Sequence, residues 1–161
     1  MDTTAVYPGT FDPVTLGHLD VIERAHRRFR RVIVAVSQNP AKEPLFSLEE
    51  RSELVRDAVS DLERVEILTF KDRLLVDVAA EIPGAVLVKG LRAVTDFDYE
   101  LQMAQMNVRL RGVETMFLAA APEHSFLSSS LVREIARFGG DVGAFVTPEV
   151  ARRLKERFSG G

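Results

Sequence analysis

Apolar residues gather along the chain in short runs that do not alternate with polar ones: Thr4–Tyr7, Arg31–Val36, Val65–Phe70, Ala85–Val88 and Thr115–Ala121. Runs of Val, Ile, Leu and Ala of this length read as strands buried on both faces of a parallel sheet, because a wet face would bring in polar residues at every second position. Between the runs the spacing becomes helical. Leu19, Ile22, Ala25, His26 and Phe29 share one face of a segment running from Gly17 to Phe29. Leu48, Arg51, Leu54, Val55, Ala58 and Val59 define a second, opened by Ser47 with Glu50 three residues on, which is the capping-box spacing. A third, Leu75 to Ile82, ends at the Pro83-Gly84 breaker. A fourth starts near Asp96, carries Phe97, Leu101, Ala104 and Val108 on one face, and stops at Gly112. A fifth runs from Ser129 to Phe138 and ends at Gly139-Gly140, and a last one begins at Thr147-Pro148 and reaches Phe158. Strand and helix therefore alternate five times before a closing helix. This order predicts an α/β fold in one domain spanning 1–161: a doubly wound, five-stranded parallel sheet with a C-terminal helix.

Composition narrows the function classes. At 161 residues the chain suits one well-packed domain. The net charge of −3 argues against a nucleic-acid binder working through bulk positive charge, so any anion must meet a local cluster. Cysteine is absent, which excludes disulfides and thiolate metal sites and fits a reducing, cytoplasmic setting. The N-terminal MDTTAVYPG lacks a basic region followed by an apolar run, and the longest apolar stretch, Met116 to Pro122, is too short to span a bilayer. A soluble protein without membrane or nucleic-acid partners is expected.

In a doubly wound sheet, ligands bind beyond the carboxyl ends of the strands, where strand order reverses. Placing strand 1 between strands 2 and 4 makes the turns after strands 1 and 4 flank one crevice. The distinctive polar residues lie in those turns: Gly9-Thr10-Phe11-Asp12-Pro13 and Thr15-Leu16-Gly17-His18 after strand 1, Ser37 to Lys42 after strand 2, Lys89-Gly90-Leu91-Arg92 after strand 4, and His124 to Ser130 after strand 5. Only four lysines occur against seventeen arginines, and two of the four, Lys42 and Lys89, fall in these loops. Lysine supplies a movable point charge, and Arg92 a planar donor fork matched to phosphate oxygens. Ser128, Ser129 and Ser130 open a helix whose first amides and dipole favour an anion. Neither GxxxxGK[ST] nor GxGxxG is present, so the commoner phosphate loops are excluded. His18 falls in the first turn of a helix, where the positive dipole end favours a neutral ring able to donate to a phosphoryl oxygen. These clusters converge on a ligand with several phosphates.

Other polar and apolar groups have simpler readings. His26 reads as structural on the apolar helix face, and Arg27, Arg28, Arg30 and Arg31 as the wet end of a helix. Asp12 and Asp96 are explained by turn and helix-cap roles. Arg92 has an alternative as an ion-pair partner of Asp96 or Asp98, and His124 faces either nucleotide or solvent. Leu101, Met103, Met106 and Val108 form either core or a subunit interface.

The segment Thr15-Leu16-Gly17-His18 resembles the [HT]-x-G-H signature of the nucleotidylyltransferase superfamily. With YPGTFDPVTLGH, KGLRAVTDFDYELQMAQMN and SFLSSSLVREIA in order, the chain resembles the bacterial phosphopantetheine adenylyltransferases almost end to end. The resemblance implies a Rossmann-like domain that transfers AMP from ATP to 4′-phosphopantetheine, giving dephospho-coenzyme A and pyrophosphate in the penultimate step of coenzyme A synthesis. It implies catalytic roles for Thr10, His18, Lys42 and Arg92. It places ATP against Thr10, Phe11, His18, Gly90, Leu91, Arg92 and Glu100, and against His124, Ser125, Phe126, Leu127, Ser128, Ser129 and Ser130. It places the acceptor against Thr10, Lys42, Leu75 and Lys89. Magnesium would arrive on the ATP phosphates, with no dedicated protein ligands. A homohexamer and inhibition by coenzyme A are further expectations of the resemblance. Two other readings stand beside it: a relative acting on glycerol phosphate or nicotinamide mononucleotide, and a nucleotide sensor without turnover.

Overall fold

In the computed structural model, which describes residues 3–38 and 43–160, five parallel strands form one sheet. They are β1 (Thr4–Gly9), β2 (Arg31–Gln38), β3 (Val65–Lys71), β4 (Ala85–Leu91) and β5 (Thr115–Ala119), arranged in the order β3-β2-β1-β4-β5. The connecting helices are α1 (Leu16–His26), α2 (Leu48–Ala58), α3 (Leu75–Ala80), α4 (Val94–Arg111) and α5 (Ser129–Arg137), and α6 (Pro148–Ser159) closes the chain. The expected Rossmann-like α/β architecture is present, with its C-terminal helix. The capping signals also hold. The Ser47 hydroxyl accepts from the Glu50 amide while the Glu50 carboxylate accepts from the Ser47 amide, and Thr147 caps α6.

Alternate strand residues serve opposite faces of the sheet. Ala5, Tyr7, Val32, Val34 and Val36 pack with α1, α2, α5 and α6, whereas Val6, Ile33, Ala35 and Leu87 pack with Val76 and Ala79 of α3. Several boundaries differ from the sequence expectation. α4 starts at Val94 rather than near Asp96, because Ala93 is the last extended residue and Asp96 falls inside the first turn. α1 ends at His26, three residues short of Phe29. β5 stops at Ala119, and a 3₁₀ turn at Pro122–His124 follows.

The most consequential difference is at β4, where Lys89, Gly90 and Leu91 belong to the strand rather than to the turn after it. They are held there by β5, with Lys89 opposite Phe117, Gly90 opposite Leu118 and Leu91 opposite Ala119. On its other side β4 pairs with β1 only from Ala85 to Leu87. β1 meanwhile stays paired with β2 as far as Gly9. The two central strands therefore separate after Val6 and Leu87. The gap opens at the point of strand-order reversal, where such sheets bind ligands.

Candidate active site

A cavity of about 640 Å³ fills this gap. Thr10 and Phe11 line it from the β1 side, Gly17 and His18 from α1, Lys89, Gly90 and Arg92 from the β4 side, and His124, Leu127 and Ser128 to Ser130 from the segment entering α5. Most of the residues expected to bind ATP thus meet around one space.

The β1–α1 turn is unusual at its backbone. Phe11 adopts φ +50°, a left-handed conformation that costs a bulky residue about 1–3 kcal/mol. Burial of its ring offsets that cost: Phe11 is 2% exposed and meets the Tyr7 ring edge-on at 5.5 Å and the His18 ring at 4.9 Å. The turn leaves Thr10 at the cavity wall. Tyr7 lies at the base of this aromatic group, and burial raises its hydroxyl pKa above the ordinary value, against the opposing pull of Arg92.

His18 is oriented by the cap of its own helix. Its Nδ1 accepts the Thr15 amide at 2.9 Å, and the Thr15 hydroxyl accepts the His18 amide. Because Nδ1 is an acceptor, the proton of the neutral ring belongs on Nε2. Burial, reinforced by the positive charge of Arg92, lowers the His18 pKa to about 4. At neutral pH the residue is thus a neutral hydrogen-bond donor with a fixed tautomer.

Arg92 donates to the Leu127 carbonyl at 2.6 Å, which ties the end of β4 to the segment before α5. Its hydrogen-bond partner is a main-chain oxygen rather than Asp96 or Asp98. In α5 the Ser128 hydroxyl caps the Leu131 amide, and Ser129 donates to the Pro13 carbonyl at 2.7 Å. The first-turn amides of Ser129 and Ser130, which carry no intrahelical bonds, remain available to an anion.

Other expected residues lie elsewhere. Phe126 is 58% exposed and packs edge-on against Phe145, and the Ser125 hydroxyl is turned onto the Pro122 carbonyl. Leu91 continues β4 and does not line the main cavity. Lys42 lies outside the described residues. Leu75 and Glu100 line a second, smaller cavity of about 100 Å³, together with Leu87, Tyr99, Met103, Asn107 and Thr115. Lys89 borders both cavities and pairs with Glu100 at 3.3 Å.

Sequence reasoning missed several groups at the main cavity. Arg133 reaches from α5 to the Asp12 carbonyl and to the Ser130 hydroxyl. Its spacing of three from Ser130 puts it on the helix face of that serine, which was the available signal. Asp20 and Arg51 also line the cavity. Asp12 exceeds the turn role expected of it: at 4% exposure its carboxylate accepts the Leu45 and Phe46 amides, across to the segment before α2. Tyr99, Met103, Asn107 and Thr115 had no site reading. Among the described residues no group of three or more His, Cys, Asp or Glu could hold a metal ion, and no helix is long and apolar enough to cross a membrane.

Fold and cavity together define an α/β protein with a crevice at the strand-order reversal, lined by His18, Lys89, Arg92 and the start of α5. Residues 6–135 match the cytidylyltransferase-like family, and the chain belongs to it. Among solved structures it is similar to a Vibrio parahaemolyticus protein assigned as a nicotinate-nucleotide adenylyltransferase, with TM-score 0.70 and 21% identity over 98% of this chain and 95% of that one. It is also similar to the nicotinic acid mononucleotide adenylyltransferase of Plasmodium falciparum complexed with NaAD, with TM-score 0.68 and 12% identity over 97% and 96% of the two chains. At these identities the likeness concerns the fold.

Proposed function

We propose that this chain is a phosphopantetheine adenylyltransferase, moving AMP from ATP to 4′-phosphopantetheine. The observation that carries the acceptor assignment is Lys89, which borders both the large cavity and the narrow one. A phosphate at Lys89 would face the nucleotide while its tail entered the side cavity. That cavity offers Leu75, Leu87 and Met103 as apolar walls and Asn107 and Thr115 as polar groups, which suits a slender chain of methylenes and amides. The Thr115 hydroxyl is buried without a partner among the described residues, and Asn107 is only 7% exposed. Both are polar groups that an amide could satisfy. A nicotinate ring would fit less well, since its carboxylate would approach Glu100.

In the proposed reaction an acceptor phosphate oxygen bonds to the α-phosphorus of ATP while the bond to the β-phosphate oxygen breaks in line, releasing pyrophosphate. The nucleophile is already an anion, so no general base is needed. The protein supplies alignment and charge compensation. The His18 Nε2–H and the Thr10 hydroxyl donate to oxygens on the reacting phosphates, and Lys89 steers the incoming phosphate. Arg92 and the amides at the start of α5 hold the ATP phosphates. Magnesium belongs on those phosphates in this reading, and Lys42 retains its proposed role on the acceptor phosphate. We carry a homohexamer and feedback by coenzyme A in the same proposal. Met106 and Val108 on α4 and Met116 on β5, exposed by 54%, 41% and 49%, support self-association, which light scattering would measure.

The test is pyrophosphate release with ATP, magnesium and 4′-phosphopantetheine, beside nicotinate mononucleotide, nicotinamide mononucleotide and glycerol phosphate as acceptors and cytidine triphosphate as donor. Release that requires ATP and the pantetheine phosphate is expected. Faster release with another acceptor reassigns the substrate, and ATP binding without release under any condition points to a sensor.

A further inference from the structure

Arg51 lies on the inward face of α2 and is 1% exposed, the most deeply buried cation among the described residues. Among the described residues it makes three hydrogen bonds, all to main-chain carbonyls. Nη1 donates to Thr10 at 2.6 Å and to Ser37 at 2.8 Å, and Nε donates to Phe46 at 3.1 Å. These carbonyls come from three different segments at the carboxyl edge of the sheet: the turn after β1, the end of β2, and the approach to α2. Asp12 fastens the third segment to the first by accepting the Phe46 amide at 3.0 Å. Burying a guanidinium costs several kcal/mol, which its bonds to these carbonyls have to offset, and an apolar side chain of similar volume would leave the carbonyls without their donor. What the cation achieves in return is that three chain segments are fixed at one point, one of them carrying Thr10.

We propose that Arg51 is a positioning residue for nucleotidyl transfer, holding the Thr10 main chain so that the Thr10 hydroxyl stays aimed at the reacting phosphates. The assignment rests on the nucleotidyl-transfer reading of the site. The fork explains the choice of side chain. A planar guanidinium can bond several carbonyls in fixed directions, whereas an ammonium of similar length offers one donor centre and cannot reproduce the set. The wall bearing Thr10 is then built from beneath by a residue that does not itself take part in the chemistry.

The test combines Arg51→Lys and Arg51→Met with Thr10→Val in a double-mutant cycle. In Arg51→Lys, kcat is expected to fall about 10- to 100-fold while the KM for ATP stays within about threefold, as for a misplaced group. In the Thr10→Val background the same change should cost less than about threefold, because the group being aimed is gone. In the ¹⁵N correlation spectrum of the free protein, the Phe11 amide shares its peptide unit with the Thr10 carbonyl and should shift in Arg51→Lys. A folded Arg51→Lys protein with wild-type kcat, or one whose loss is fully additive with Thr10→Val, overturns the proposal. If Arg51→Met fails to fold, the lysine variant, which keeps charge and stem, decides. A wild-type protein that releases no pyrophosphate overturns the reaction, and the Phe11 amide then decides the positioning separately: unmoved, it overturns that too.

Discussion

On one face of the sheet α1, α2, α5 and α6 bury a continuous core containing Ile22, Leu54, Val132 and Leu154, each at most 1% exposed. On the other face α3 buries Val76 and Ala79, but α4 runs for 18 residues and buries only Asn107. The first face is self-sufficient, and it holds the residues proposed to act on phosphates: His18 in the cap of α1 and the serines at the start of α5. The second face is loosely covered and contains the narrow cavity proposed for the acceptor tail. Rigid support underlies the groups proposed to act on phosphates, and open apolar surface surrounds the cavity proposed for the acceptor tail. This division follows from what each task needs. Aligning a phosphorus with its nucleophile requires fixed donors, whereas receiving a flexible tail requires an accessible groove.

The contrast can be broken most severely on the well-packed side. His18→Ala should lower kcat by about 10²- to 10³-fold while changing ATP affinity only a few-fold, because the imidazole is proposed to strengthen its bond as charge develops. Steady-state kinetics beside calorimetric ATP binding checks this. Leu54→Ala should cost about 2–5 kcal/mol in denaturant unfolding, since it leaves a void in a filled core. On the other side, Lys89→Ala should raise the acceptor KM about tenfold and leave the ATP KM near its wild-type value, measured by varying each substrate in turn. Met106→Ser should change monomer stability by less than about 0.5 kcal/mol. If it instead dissociates the assembly in light scattering, the loose face is an interface.

pH sharpens the comparison from the side of His18. Its folded pKa of about 4 lies below the ordinary 6.5, so the unfolded chain takes up the proton first. Stability linked to this group is complete above about pH 6.5 and is lost as pH falls through about 4. The neutral ring, the form proposed to act, persists over the same range. The rate per folded molecule should therefore remain level through pH 6, and its His18-dependent acid limb should fall near pH 4, coincident with the imidazole carbon shift in NMR.

Much of this site was legible before folding because its parts are local. The capping signals at Ser47 and Thr147, the TLGH turn and the serine-opened helix each act within a few residues. Short-range hydrogen bonding decides such features, so position in the chain is enough to find them. Arg133 was within reach of the same reasoning. Arg51 was placed on the inward face by its spacing with Leu48 and Leu54, yet nothing local could assign its partners, because Thr10 lies 41 residues away. Asp12 likewise read as a turn residue and became a clamp on a segment 33 and 34 positions later.

The amino-acid pattern alone determined the alternation of strands and helices, the topology class and the loops where the groups proposed to bind phosphate gather, since periodicity and capping report directly on local backbone geometry. Only the tertiary structure decided where the crevice opens, which depends on β4 staying paired to β5 after it has parted from β1. It also decided that Lys89 stands between two cavities, that the charge of Arg92 falls near His18, and that α4 leaves its apolar residues exposed. Each of these depends on groups distant in the chain arriving at one place, and pairing and burial at that range are properties of the packed molecule.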